Sequence, residues 1–489
     1  MGITKPNVAK NPSLVQSSSQ ISPRGRRQLA LLLTIVFLSR LFFAFVIWKV
    51  NGPTGFFSPD TGSYVVPAQS LLHGSFTSQG VPEIYRTPGY PLLLLPAVAL
   101  RYLASVGLFE NLLLAVASAW LIWRILTDIC PDTKAPTWAV LLYCFEPMGF
   151  LYSEKVLSES LFATQVLLSI WFLIRFLRNP TYTKSLLSAL ALGCATYTRP
   201  ATLFIGLWLV PLLLLLPRTL EFSRRASRTI LFLSVFLLTL TPWVVRNVAV
   251  AGYMGISAAS DYILYFYPAA AVKAKSEHKS FSQVQGEFGY GGEWGYVDNK
   301  RYFQKHAEQR TWSQSQIFQF EHTQAQRIIS RHLLSFFIIQ LEGCAIMLFD
   351  PGVTDLLKVV RLYPESGGLL TRVVDQGAVR AIFWLVRQYP VTVAALLLLG
   401  TQLISYYSLA LVGLREVPFD MGVLFAWIVL YFVLVSGGPA GLARYRVPIM
   451  PLVCISAGVA IANWTVTKSH RIHSARITRS TKLQSGPPW

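Results

Sequence analysis

The chain is short of charge. Only 13% of its 489 residues are Asp, Glu, Lys or Arg, against 53% hydrophobic. Soluble domains carry about twice that charged fraction, so a string of soluble domains is excluded. Acids are the scarcer sign, 23 against 43 basic residues. Cysteine is scarce too: Cys130, Cys144, Cys194, Cys344 and Cys454 are odd in number, scattered and without a C-x-x-C pair. That excludes a disulfide or zinc framework and leaves five small hydrophobes. Neither G-x-x-x-x-G-K-[ST] nor H-E-x-x-H occurs, so a nucleotide motor and a zinc hydrolase have no support, and the G-G-P-A-G at 437–441 lacks the lysine of a phosphate loop. The first apolar run, 29–50, lacks the small-residue exit of a cleaved signal and reads as an uncleaved anchor.

What the chain has is hydrocarbon in runs of about 20 residues, the length that crosses a bilayer. Ten spans are expected: 29–50, 108–127, 137–153, 158–177, 185–198, 201–217, 229–245, 391–412, 420–436 and 447–466. Two further apolar stretches are expected not to cross. In 88–106, Pro88, Pro91 and Pro96 oppose a regular span and favour a juxtamembrane helix on the outer face. Charge parity makes 333–349 surface-lying or re-entrant, and crossing by both would give twelve spans. The fold class is therefore an all-α polytopic membrane protein with about 10–12 transmembrane helices and outer-face juxtamembrane helices.

The net charge of +20 is read by its placement. Lys5, Lys10, Arg24, Arg26 and Arg27 precede the first span, and Lys468, Arg471, Arg476, Arg479 and Lys482 follow the last, with no acid in either tail. Such tails place both termini in the cytoplasm, and without interleaved aromatics they do not read as nucleic-acid binding. The expected division is a disordered basic tail (1–28), a membrane domain (29–466) and a second basic tail (467–489). Modest outer loops suit a bacterial inner membrane. The outer face then collects 51–107, the turn at 154–159, the turn at 198–200, the large segment 246–390 and the turn at 437–446. Within the large segment "GEFGYGGEWGYVDNK" (286–300) is either a loop with aromatic surfaces for flat or sugar-like partners or a plain linker. "QFEHTQAQRIISRHLLSFFIIQ" (319–340) has the polar-to-apolar gradient of an interfacial helix.

Chemistry gathers on those outer segments. Asp60, just before "TGSYVVPAQSLLHG", is placed to cap a helix and also to accept a proton from a hydroxyl. Glu154 and Glu159 in "YSEKVLSESLF" flank the turn between two spans, where a carboxylate is either answering a helix N-terminus or lining a polar cavity. Positive residues are ordinarily depleted outside. Yet Arg86 beside Tyr85, then Arg199, Arg246, Arg444 and Arg446 lie there, each within a few residues of Pro or an aromatic. Snorkelling explains any one of them; several together suit a shared anionic ligand, which Arg grips through paired hydrogen bonds. A lipid-phosphate-linked substrate, used where ATP is absent, joins these features.

The segments "SPDTGSYVVPAQSLLHG", "YRTPGYPLLLLPAVAL", "LSESLFA", "ALGCATYTRPATL", "TPWVVRNVAVAGY" and "ARYRVPIMPL" occur in that order. Together they resemble the GT-C membrane glycosyltransferases, in particular the dolichyl-phosphate-mannose protein mannosyltransferase and lipid A aminoarabinose transferase family, over residues 29–466. The resemblance implies inverting transfer of a sugar from a polyprenyl phosphate to an acceptor hydroxyl of a lipid, glycan or protein at the outer face. It implies Asp60 as the base, Glu159 as the second acid, and Arg86 on the lipid phosphate, with Arg199, Arg246 or Arg446 as helpers. No cofactor is required, and a divalent metal is compatible but not indicated. Where the family often pairs two acids in the first outer loop, this chain has Asp60–Thr61. The competing classes are a flippase or transporter of lipid-linked sugars, and a surface-polysaccharide ligase or polymerase using polyprenyl diphosphate.

Overall fold

The structure, a computed structural model, describes residues 22–131, 133–216, 219–290, 300–363, 378–439 and 441–465. Most of both basic tails and most of 286–300 lie outside the described residues. Helix α1, Pro23–Asn51, starts where Ser22 Oγ accepts from Gly25 N at 3.1 Å and Pro23 fills the first helical position. Residues 23–28, expected in the disordered tail, are thus the first turns of α1. It ends at Gly52, whose φ of 64° only glycine adopts cheaply.

The segment after α1 folds as α2 (Thr61–Leu71), an antiparallel pair of two-residue strands β1 (Thr77–Ser78) and β2 (Val81–Pro82), and the short helices α3 (Gly89–Leu93) and α4 (Leu95–Ala99). Five-residue helices are too short to cross a bilayer, and Pro91 and Pro96 set the breaks in this stretch before α5 begins at Leu103. The next helices are α5 (Leu103–Ile129), α6 (Ala135–Cys144), α7 (Pro147–Tyr152), α8 (Glu159–Arg178), α9 (Tyr182–Thr198), α10 (Ile205–Trp208), α11 (Val210–Leu215) and α12 (Phe222–Ala251). The large segment after α12 holds α13 (Ala259–Leu264), α14 (Ala270–Ser276), α15 (Phe281–Glu287), α16 (Lys300–Lys305), α17 (Gln314–Arg331), α18 (Leu333–Phe349) and α19 (Val353–Val359). Last come α20 (Ala378–Gln388), α21 (Pro390–Glu416), α22 (Phe419–Ser436) and α23 (Met450–Thr465).

The chain is an all-α polytopic membrane protein. Among the described residues six helices, α1, α5, α8, α12, α21 and α22, are long and apolar enough to cross. The other expected spans are shorter or broken. The run 137–153 breaks because the Glu146 carboxylate accepts from Met148 N and Gly149 N, starting α7 anew at Pro147. The run 201–217 is a 3-10 turn followed by α10 and α11, with Pro200 and Pro211 at its breaks. The expected spans at 185–198 and 447–466 become α9, of 17 residues, and the short apolar α23. Helices α17 and α18 meet at 103°.

The main core packs α5, α8, α9 and α12 with α22 and α23, burying Leu167, Ile174, Phe236, Phe432 and Ile455. Trp208 and Trp427 stack at 4.6 Å, each indole donating to the other's carbonyl, which ties α10 to α22. The segment after α12 has its own aromatic core around Tyr262, Tyr265, Phe266, Tyr302 and Phe318. Large apolar side chains such as Phe42, Leu238 and Leu398 point outward, as lipid-facing surfaces do.

Candidate active site

The site forms where four chain segments meet above the main core. Asp60 stands at the N-cap position of α2, but its carboxylate makes no cap hydrogen bond. It faces two arginines instead. Arg444 Nη2 lies 2.8 Å from Oδ2, and Arg86 Nη2 lies 3.5 Å from Oδ1. Of the two roles open in the sequence, capping is not the one its side chain performs. Glu159 opens α8 and is only 1% exposed. Its Oε1 accepts from Arg199 Nη1 at 2.7 Å and from Arg444 Nε at 2.9 Å. Arg444 therefore bridges both acids, and Arg86 and Arg199 flank them.

Each arginine is aimed by neighbours. Arg86 Nε donates to Ser63 Oγ at 2.9 Å and Nη1 to Tyr64 Oη at 3.2 Å, and its guanidinium lies 4.4 Å over the Tyr64 ring. Its backbone is held by Glu83 Oε1, which accepts from the Tyr85 and Arg86 amides at 2.6 and 2.7 Å. Burial pulls the Arg86 and Arg444 guanidiniums toward losing their protons, but surrounding tyrosines and carboxylates more than offset this and raise both above the ordinary arginine range. Both stay charged. Three guanidinium groups against two carboxylates leave one positive charge in excess.

Beside this cluster opens a cavity of about 430 Å³. Tyr64, Tyr85, Arg86, Glu159, Arg199 and Arg444 form its polar end, and Phe162, Leu203, Phe204, Leu264 and Phe336 its apolar wall. Asp60, 7% exposed, sits behind Arg86 and Arg444 and is not itself on the wall. Among the described residues, Glu159 Oε2 on this wall is buried with no hydrogen-bond partner. Among the described residues no group of three or more His, Cys, Asp or Glu side chains is arranged to hold a metal ion.

Thus Asp60, Tyr85, Arg86, Glu159, Arg199 and Arg444 come together, and three other expected residues do not. Arg246 donates to the Glu83 and Phe76 carbonyls and stacks over Trp243, pinning the hairpin loop. Arg446 is 1% exposed and donates to the Met347 and Asp350 carbonyls at the end of α18. Both guanidiniums close loops. Glu154 is fully buried away from the cavity. Sequence reasoning missed Tyr64, Ser63 and Glu83. Tyr64 follows Asp60 by four residues, a helical spacing that brings it under Arg86 and was available as a signal.

No protein-family profile and no curated protein matches the chain. Solved structures do resemble it. An archaeal oligosaccharyltransferase, AglB of Archaeoglobus fulgidus, in complex with an inhibitory peptide and a dolichol-phosphate, is 11% identical at a TM-score of 0.44, covering 94% of this chain and 52% of that one. An Archaeoglobus fulgidus oligosaccharyltransferase in the apo form gives 12% and 0.43 over the same shares of the two chains. This chain spans about half the length of those two proteins. ArnT of Cupriavidus metallidurans bound to undecaprenyl phosphate is 12% identical at a TM-score of 0.37, covering 90% of this chain and 77% of that one.

Proposed function

We propose that the chain is a GT-C-type membrane glycosyltransferase that moves a sugar from a polyprenyl phosphate to an acceptor hydroxyl at the outer face. One observation carries this reading: a single cavity joins a guanidinium-rich end holding excess positive charge to an apolar wall, with the Glu159 carboxylate on that wall and Asp60 ion-paired just behind Arg86 and Arg444. An anionic head on a long hydrocarbon chain has that shape and polarity. Arg86, Arg199 and Arg444 bind the phosphate through charge-assisted hydrogen bonds. The orphaned Glu159 Oε2 accepts from a sugar hydroxyl, since a buried carboxylate oxygen left bare is costly.

In the reaction the acceptor oxygen attacks the anomeric carbon from the face opposite the phosphate. The acceptor O–C1 bond forms, the C1–O bond to phosphate breaks, and the configuration inverts. The hydroxyl proton passes to Asp60 Oδ1, which comes within reach of the cavity when Arg86, at 3.5 Å the looser of its two partners, turns from it to the phosphate. The electron pair leaves on polyprenyl phosphate, where the three arginines meet the growing charge. Donor head and acceptor both belong to the outer segments, and the termini to the cytoplasm.

The test uses purified protein in detergent with a panel of polyprenyl-phosphate and polyprenyl-diphosphate sugars and candidate acceptors, following release of the free lipid phosphate. Release by wild type, with near-complete loss in folded Asp60→Asn, is expected. Equal release by both variants removes Asp60 from catalysis; release only from a diphosphate donor indicates a ligase or polymerase. Tight binding without release from any donor indicates a transporter.

A further inference from the structure

Arg444 meets two carboxylates, Glu159 through Nε and Asp60 through Nη2, and it does so at the end of a flexible stem. What backs its guanidinium therefore matters as much as its charge. The guanidinium carbon lies 5.8 Å from the centre of the Tyr152 ring and 5.6 Å from that of Tyr445. Tyr445 lines the cavity, whereas Tyr152 does not. Tyr152 closes α7, is 8% exposed, and donates its hydroxyl to Asp355 Oδ2 at 3.2 Å. Phenylalanine would fill the same space without burying a polar atom. The hydroxyl does what phenylalanine cannot: a buried phenol leaves its acceptor only by losing a hydrogen bond, so the ring is fixed in place. Donation to a carboxylate also enriches the ring in electron density, which strengthens its pull on a cation.

Asp355 comes from outside the site. It lies in the first turn of α19 and is not on the cavity wall. Helix α19 is anchored at both ends. At its start Asp350 Oδ1 accepts from Gly352 N at 2.8 Å, and Arg446 donates to the Asp350 carbonyl. At its finish Arg361 Nε donates to Asn51 Oδ1 at 2.8 Å, and Asn51 Nδ2 donates to the Val359 carbonyl. Between these ties Val353 and Leu357 pack with Leu385 of α20. A fixed element thus presents the carboxylate, and its link to Arg444 runs through the Tyr152 ring.

We infer that Asp355 is a positioning residue for Arg444: by holding the Tyr152 hydroxyl it fixes the ring behind the guanidinium and keeps Arg444 spanning Asp60 and Glu159. The kinetic half of the inference rests on the transferase reading; the structural half does not. The experiment takes full-length wild type, Tyr152→Phe, Asp355→Leu, the double variant and Asp355→Asn in detergent. It follows phenylglyoxal modification of Arg86, Arg199 and Arg444 by peptide mass spectrometry, alongside turnover. Tyr152→Phe and Asp355→Leu are each expected to speed modification of Arg444 about tenfold, with Arg86 and Arg199 unchanged, and to lower kcat about tenfold at unchanged donor KM. The double variant should do no more than either single one, because both break one link. Asp355→Asn keeps an acceptor for the phenol and should keep wild-type behaviour. Should Asp355→Leu not fold, Tyr152→Phe, which removes one oxygen, reports on the same link. Unchanged modification of Arg444, equal acceleration at all three arginines, or a double variant showing the full effects of both single ones combined overturns the inference. If wild type turns over no donor while Arg444 still responds as expected, the transferase reading fails and the positioning role stands; if wild type turns over and both single variants match it, the kinetic half fails.

Discussion

At the scale of single residues, Arg444 holds the site together, because its guanidinium reaches Asp60 and Glu159 at once. Removing one member of a buried charge cluster leaves the others uncompensated, a loss of about 3–5 kcal/mol. Arg444→Gln should therefore lower the melting temperature and abolish turnover. Arg444→Lys should restore little of either, since one ammonium cannot reproduce the fork that spans two carboxylates. A lysine variant with wild-type rate and stability would contradict this. Asp60→Asn is isosteric and keeps the hydrogen bond from Arg444, so it separates base from scaffold. Turnover should fall about 10²- to 10⁴-fold with polyprenyl-phosphate affinity retained.

At the scale of elements, the turn between α7 and α8 carries an unusual titration. Burial pushes the Glu154 carboxyl up to about 8, with Arg40 pulling it back, and burial pushes the Lys155 amine down to about 8. The signs are opposite. The folded chain holds the Glu154 proton more tightly than the unfolded chain does, so that contribution is complete below the ordinary value of 4.5 and lost as pH rises through about 8. Lys155 contributes fully above its ordinary 10.5, and that contribution is lost as pH falls through about 8. Denaturation midpoints measured from pH 5 to 10 should thus sag near pH 8. Glu154→Gln should flatten the acid side of the sag and Lys155→Met the alkaline side. A second element prediction concerns α18 and the segment bearing Arg444. A Cβ on Gly343 would lie 1.9 Å from the Gly438 carbonyl oxygen, and backbone cannot swing aside. Gly343→Ala should cost about 1–3 kcal/mol and displace Arg444, lowering stability and donor binding together.

At the scale of the whole molecule, the expectation is an outer face that carries the site and an inner face that carries the basic turns. Single cysteines at Ser282 on α15 and at Ser223 near the start of α12 are both exposed and lie at the two supposed faces. In sealed cells an impermeant maleimide should modify Ser282→Cys, and Ser223→Cys only after permeabilisation, above the background of the native cysteines. The reverse pattern would invert the topology and place the cavity in the cytoplasm.

The all-α membrane class, the first span and the segments bearing the acids were legible in the sequence because they follow from local properties: apolar run length, the sign of flanking charge, and which residues can start a helix. Asp60 and Glu159 stood out as acids at helix starts on one face. What composition could not decide was company. Arg199, Arg246, Arg444 and Arg446 look alike as arginines within a few residues of proline or aromatics, yet of these four only Arg199 and Arg444 reach the acids. Arg246 and Arg446 instead find carbonyls closer at hand. The break at Glu146 depended on which amides its carboxylate would meet, and the burial of Arg40 on rings more than a hundred residues away. Hydrocarbon content decides that a segment leaves water. Only the packed structure decides which charges leave it together, because the free energy of a buried charge depends on partners brought from other parts of the chain.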